Sequence, residues 1–141
     1  MDWKTIVYKL NNDSEVMLKD LTKENGLILF FYPHANSTIC ALEAKEFQKN
    51  LKVFEGKGYG IVGASRDQIM DQKEFSSNCN LDFPLICDTD EILHKGLMIL
   101  DNKDGDNAIR SSFILDKDLN IIKEMRNVEA VSHIKDLIAA L

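Results

Sequence analysis

The sequence predicts an α/β protein: a three-layer sandwich with a central mixed β-sheet and an N-terminal β-hairpin. Three observations lead there. Two apolar runs, residues 27–32 (LILFFY) and 59–64 (YGIVGA), are too continuous for half-solvated strands and read as strands buried on both faces. Apolar residues at helical spacing follow the first run, at Ala44, Phe47, Leu51 and Phe54. Strands then alternate with helices until the chain ends in a hairpin pattern and one more helix.

Residues 5–10 (TIVYKL) and 15–18 (EVML) flank the polar turn cluster Asn11-Asn12-Asp13-Ser14, which predicts the hairpin. Residues 19–25 are a charged connector with room for one helical turn. After the first buried strand, an amphipathic helix is predicted over residues 38–55, stopped by Gly56 and Gly58. The second buried strand is followed by Ser65-Arg66-Asp67 and a polar helix reaching about Asn78. Residues 81–87 hold a third strand, and Pro84 within them predicts an edge position or a strand start. Thr89 or Asp90 caps a short helix ending at Gly96. Residues 101–107 (DNKDGDN) have nothing to bury and read as a loop. Residues 111–115 and 120–125 form a hairpin around residues 116–119. Val131, Ile134, Ile138 and Leu141 share one face of a C-terminal helix.

The 141 residues fit a single domain, 1–141, large enough for a core without disulfide support. A net charge of -6 argues against a nucleic-acid surface, and no apolar run is long enough to span a membrane. The N-terminus lacks the segments of a signal peptide. Three cysteines without paired spacing suit a reducing compartment, so a cytoplasmic protein is expected. No Cys and His spacing resembles a zinc site, and neither a metal nor another cofactor is expected.

The chain is organised around residues 26–43 (GLILFFYPHANSTICALE). Pro33 ends the buried strand because it has no N–H for the sheet. Ser37 is a favoured N-cap, which puts Cys40 at the third helical position. Free backbone N–H groups and the helix dipole favour an anion there, so Cys40 is a candidate reactive thiolate.

In this stretch Pro33, Ser37 and Cys40 stand in the order proline, three residues, serine or threonine, two residues, cysteine. Phe31-Tyr32 precede them and Glu43 follows three beyond the cysteine. The arrangement resembles the active site of the peroxiredoxins. Residues 109–116 (IRSSFILD) resemble that family's arginine-bearing strand, and residues 63–67 and 83–88 resemble its intervening segments. The compact length is similar to the bacterioferritin-comigratory, or PrxQ, branch. The resemblance implies a thioredoxin-like fold and a thiol-dependent peroxidase that reduces hydrogen peroxide and small organic hydroperoxides. Thioredoxin or a similar thiol is the implied reductant, and a monomer or weak homodimer the implied assembly. Carried over residue by residue, Cys40 attacks peroxide, Arg110 holds the thiolate and the peroxide oxygens, Ser37 hydrogen-bonds the peroxide, Pro33 shields the cysteine and Glu43 orients the arginine. Cys79 is the candidate resolving cysteine, against a one-cysteine mechanism using an external thiol.

The chain also departs from the branch. Ser37-Thr38-Ile39 stands where Thr-Pro-Gly is usual, His34-Ala35 where lysine and an acidic residue are common, and Lys45 where many members carry the resolving cysteine. These departures motivate a competing reading, a low-turnover redox sensor or thiol relay on the same fold. A cysteine hydrolase leaves Arg110 without a role, and a thiol–disulfide oxidoreductase lacks its Cys-x-x-Cys pair.

The chemistry ranks these residues. A free thiol of pKa near 8.5 is only about 3% ionised at pH 7. A helix terminus contributes about 1 kcal/mol, whereas a paired arginine lowers an acid's pKa by roughly 1–3. Arg110 is therefore expected to matter more than the dipole. Cys87, at the end of an apolar strand, reads as core; Arg66 and Arg126 read as solvated; His34, His94 and His133 read as surface or half-buried residues.

Overall fold

The computed structural model describes residues 2–100 and 108–141. In chain order the strands are β1 (Val7–Lys9), β2 (Glu15–Met17), β3 (Gly26–Phe31), β4 (Tyr59–Ser65), β5 (Leu85–Cys87), β6 (Ser111–Leu115) and β7 (Ile121–Arg126). The helices are α1 (Thr38–Lys49), α2 (Leu51–Gly56), α3 (Ile69–Cys79), α4 (Ile92–Gly96) and α5 (Ser132–Ala139), with one 3-10 turn at Leu18–Leu21. The loop predicted at residues 101–107 lies outside the described residues.

The main sheet runs β5-β4-β3-β6-β7. β3 pairs parallel with β4 and antiparallel with β6, so the sheet is mixed as predicted. Its central position explains the unbroken apolar run. Leu27, Leu29 and Phe31 enter one core with Leu93, Leu97 and the hairpin residues Tyr8 and Leu10. Ile28, Phe30 and Tyr32 enter the other, with Phe47, Phe54, Phe75, Ile134 and Leu137 from the remaining helices. Every residue from Leu27 to Tyr32 is fully buried, and each large side chain contributes roughly 1.5–3 kcal/mol by leaving water. Phe30 stacks on Phe47 with ring centroids 4.1 Å apart, which fixes α1 over the strand. Gly26 begins β3 at φ +147, where a Cβ would meet the Leu115 carbonyl oxygen.

The N-terminal hairpin forms its own two-stranded sheet, β1 against β2. It also covers the exposed edge of β5. Leu10 bridges Ile86, and Asn11 both donates to the Leu85 carbonyl and accepts the Leu85 N–H. Pro84 stands just before β5 at this edge, as expected for a residue that cannot donate.

Several expectations are corrected. The helix predicted over residues 38–55 is divided at Asn50, whose Nδ2 donates to the Glu46 carbonyl four residues back. An asparagine that bonds the preceding turn competes with regular helix geometry. The cap of α4 is neither Thr89 nor Asp90. The Asp88 carboxylate accepts from the N–H groups of Leu93 and His94 and from His94 Nδ1, at 2.6 Å for the last. His94 and His133 are buried, not on the surface, whereas His34 is exposed. Arg66 is ion-paired with Glu91 at 3.1 Å. Arg126 donates to the carbonyls of Leu97 and Met98 and lies over the Phe113 ring. Cys87 is core, as expected, and burial pushes its thiol up to about 11.

Candidate active site

Ser37 caps α1 in extended geometry, and its Oγ accepts the Cys40 N–H at 3.3 Å. Cys40 thus occupies the third helical position that the sequence predicted. Its side chain is buried, with 1% of the residue exposed, so the sulfur sits under the loop rather than on it. A hydroxyl that accepts one hydrogen bond keeps its own proton to donate, so Ser37 can bind a second oxygen. Pro33 is half-buried in the turn between β3 and α1.

Arg110 comes from the segment just before β6, which the β3–β6 pairing carries to the mouth of this turn. Its Nη2 lies 3.3 Å from Cys40 Sγ and its Nη1 lies 2.6 Å from Glu43 Oε1. One planar guanidinium therefore spans the sulfur and the carboxyl, which a lysine could not do with its single charge centre. Burial pulls the guanidinium pKa down, but Glu43 and Cys40 outweigh it, and the group is held above its ordinary value. Glu43 is fully buried one turn along α1 from Cys40. Burial pushes its carboxyl up to about 8, against the opposing pull of Arg110.

Cys79 ends α3, where Asn80 closes the helix in the left-handed conformation. Cys79 and Cys40 belong to the same apolar cluster, and both thiols are free. Burial raises the Cys79 thiol above its ordinary value, and the charge of Lys45 pulls the other way. Lys45 stands where a resolving cysteine is common, and its charge is felt at Cys79.

Two groups of residues escaped the sequence reading. Behind Glu43, His133 Nε2 lies 3.8 Å from Glu43 Oε2 and 2.8 Å from Ser112 Oγ, while its Nδ1 lies 2.6 Å from the Glu129 carbonyl oxygen. Beneath the turn that holds Pro33 and Ser37, Asp67 Oδ2 accepts the Ala35 N–H at 2.7 Å and the Ser65 hydroxyl at 2.6 Å. Gln72 extends this chain inward, donating to Ser65 Oγ and the Ile86 carbonyl and accepting from the Tyr32 hydroxyl. Ser65-Arg66-Asp67 was the available signal, but its polarity reads equally as an ordinary strand-to-helix loop. No cluster of His, Cys, Asp and Glu among the described residues is arranged to hold a metal ion.

Comparison with known proteins gives the same direction. The AhpC/TSA family pattern matches residues 4–124. A putative peroxiredoxin bcp of Helicobacter pylori is 35% identical over 95% of this chain and 92% of its own length. Peroxiredoxin Bcp of Xanthomonas campestris is 29% identical over 82% of this chain and 75% of its own. Among solved structures, the bacterioferritin comigratory protein of Xanthomonas campestris, studied for its alkyl peroxide reduction activity, superposes with a TM-score of 0.89 at 25% identity, covering 97% of this chain and 90% of that one. A PrxQ of Xylella fastidiosa gives a TM-score of 0.91 at 26% identity, over 98% and 88% of the two chains. The fold is thus that of thioredoxin-like peroxiredoxins, and the chain belongs to the AhpC/TSA family, among its Bcp/PrxQ peroxiredoxins.

Proposed function

We propose that Cys40 is the peroxidatic cysteine of this thiol-dependent peroxidase and that Arg110 is its electrostatic partner. The observation that carries the assignment is the 3.3 Å contact between Arg110 Nη2 and Cys40 Sγ at the first turn of a capped helix. In the reaction the Cys40 thiolate attacks one peroxide oxygen and the O–O bond breaks. The sulfur is oxidised to a sulfenic acid, and the second oxygen leaves as alkoxide or hydroxide and takes a proton from solvent. Arg110 Nη groups and the Ser37 hydroxyl face the oxygens on which charge develops, in a site from which Pro33 and the burial of Cys40 exclude bulk water. Hydrogen peroxide and small alkyl hydroperoxides are the substrates that fit this chemistry.

Cys79 then attacks the Cys40 sulfenic acid, forming a Cys40–Cys79 disulfide and releasing water. A thioredoxin-type dithiol in the cytoplasm reduces that disulfide. The buried thiols of Cys40 and Cys79 lie in one apolar cluster, which supports Cys79 as the resolving cysteine. The domain is monomeric or a weak homodimer. Peroxide consumption coupled to thioredoxin tests the assignment: Cys40→Ser is expected to abolish it, and unchanged turnover would refute it. Peptide mass mapping after one equivalent of peroxide is expected to find the Cys40–Cys79 linkage. Normal turnover of Cys79→Ser with thioredoxin would replace it with direct reduction of Cys40 by an external thiol. A steady-state rate far below the rate of Cys40 oxidation would favour the relay reading.

A further inference from the structure

One hydrogen-bonded chain joins the two sides of the turn that carries Pro33. It starts at Tyr32, the last residue before the proline, and ends at the Ala35 N–H just beyond it. Tyr32, Ser65 and Gln72 are all fully buried. The direction of every bond follows from one atom. The Ile86 carbonyl of β5 only accepts, so the Gln72 atom 3.0 Å from it is the amide nitrogen. Gln72 Oε1 then faces Tyr32, whose hydroxyl donates to it at 2.6 Å. The amide's second proton goes to Ser65 Oγ at 2.8 Å, and the Asp67 N–H reaches the same oxygen at 3.2 Å. Ser65 thus accepts twice, and its own proton goes to Asp67 Oδ2 at 2.6 Å. That carboxylate oxygen also takes the Ala35 N–H, at 2.7 Å. Asn36, next in the turn, stands in the left-handed region at φ +68, and its Nδ2 donates to the Asp71 carbonyl of α3 at 3.4 Å.

Resting on the reading of Pro33, Ser37 and Cys40 given above, we infer that Gln72 and Tyr32 are positioning residues for peroxide reduction. Acting through Ser65, Asp67 and Ala35, they hold the turn of residues 33–37, and with it Pro33 and the Ser37 hydroxyl, in register with the Cys40 thiol. Neither side chain touches a reactant. The turn needs such support because Pro33 has no N–H to give and the helix begins only after Ser37. Packing alone does not account for Gln72. A residue that only filled space between Tyr32 and β5 would carry no polar atoms, since each one buried without a partner costs about 1–3 kcal/mol. Here both amide protons and the carbonyl oxygen are used, and their directions lead to the backbone of the turn. Loss of the amide leaves Tyr32, Ser65 and the Ile86 carbonyl short of a partner together, so the turn shifts as a unit. A shift of about 1 Å at reacting groups costs up to about 10²-fold in rate.

The test sets two reactions of Cys40 side by side. Hydrogen peroxide needs the oxygen-binding groups of the turn, whereas iodoacetamide needs only the thiolate. The first rate is read by competition with a haem peroxidase for limiting peroxide, the second by mass mapping of the alkylated Cys40 peptide. The quantity compared is the ratio of the peroxide rate to the alkylation rate. Gln72→Met, close in size, is expected to lower that ratio about tenfold. Tyr32→Phe removes one link at the end of the chain and is expected to lower it about threefold. Asn25→Ala serves as the control for lost stability. It removes the hydrogen bond from Asn25 Nδ2 to the Lys57 carbonyl at the far end of β3, and is expected to leave the ratio unchanged. An unchanged ratio in Gln72→Met overturns the inference, as does an equal fall in Asn25→Ala. If Gln72→Met does not fold, Tyr32→Phe decides, and a wild-type ratio there overturns the inference as well. Peroxide consumption that persists in Cys40→Ser would instead overturn the underlying assignment, so the two failures are distinct.

Discussion

At the scale of single residues, the site depends on one guanidinium reaching two partners. Arg110 Nη2 is 3.3 Å from sulfur and Nη1 is 2.6 Å from Glu43. Arg110→Lys keeps the charge but not the fork, so the ammonium can satisfy only one partner at a time. The second-order rate of Cys40 with hydrogen peroxide is expected to fall on the order of 10²-fold, the usual cost of one lost transition-state donor. A rate within about threefold of wild type would show that charge alone suffices. The sequence marked Pro33, Ser37, Cys40, Glu43 and Arg110 as candidates through a spaced motif and a matching strand, and the fold places Ser37, Cys40, Glu43 and Arg110 in mutual contact. His133 was not marked. A lone histidine near the start of an amphipathic helix reads as a half-exposed residue, and only the folded chain puts its ring edge-on to Phe47 and beside Glu43.

At the scale of elements, the turn between β3 and α1 needs an anchor as well as a cap. Ser37 holds the helix start, while Asp67, across the parallel β3–β4 pair, holds the Ala35 N–H. Asp67→Ala leaves the Ala35 amide and the Ser65 hydroxyl without their shared acceptor. Unfolding in urea is expected to show a loss of about 1–3 kcal/mol. Peroxide rate is expected to fall about tenfold through misplacement of Pro33 and Ser37. An unchanged rate in a destabilised variant would make the anchor purely structural. The strands were legible because buried runs bounded by proline and glycine leave few readings. Helix ends were less so. The division at Asn50 and the cap from Asp88 both depend on where a short polar side chain turns, and Asp88, Thr89 and Asp90 offer three adjacent candidates.

At the scale of the whole molecule, two buried groups with displaced pKa values tilt stability against pH in opposite directions. His133 has a lowered pKa in the folded chain. Below its ordinary value of 6.5 the unfolded chain binds a proton that the folded chain does not, so this contribution is lost as pH falls. Glu43 has the reverse displacement, from 4.5 to about 8. Between those values the folded chain holds a proton that the unfolded chain has released, so stability falls as pH rises through them. Where the two windows overlap they offset each other; above 6.5 only Glu43 still contributes. At about 1.4 kcal/mol per pH unit, the folded chain is expected to lose about 2 kcal/mol between pH 6.5 and pH 8. Urea midpoints at those two pH values measure the loss, and Glu43→Gln, which cannot ionise, is expected to remove most of it. Equal losses in wild type and Glu43→Gln would place the titrating group elsewhere and leave Glu43 charged in the folded chain.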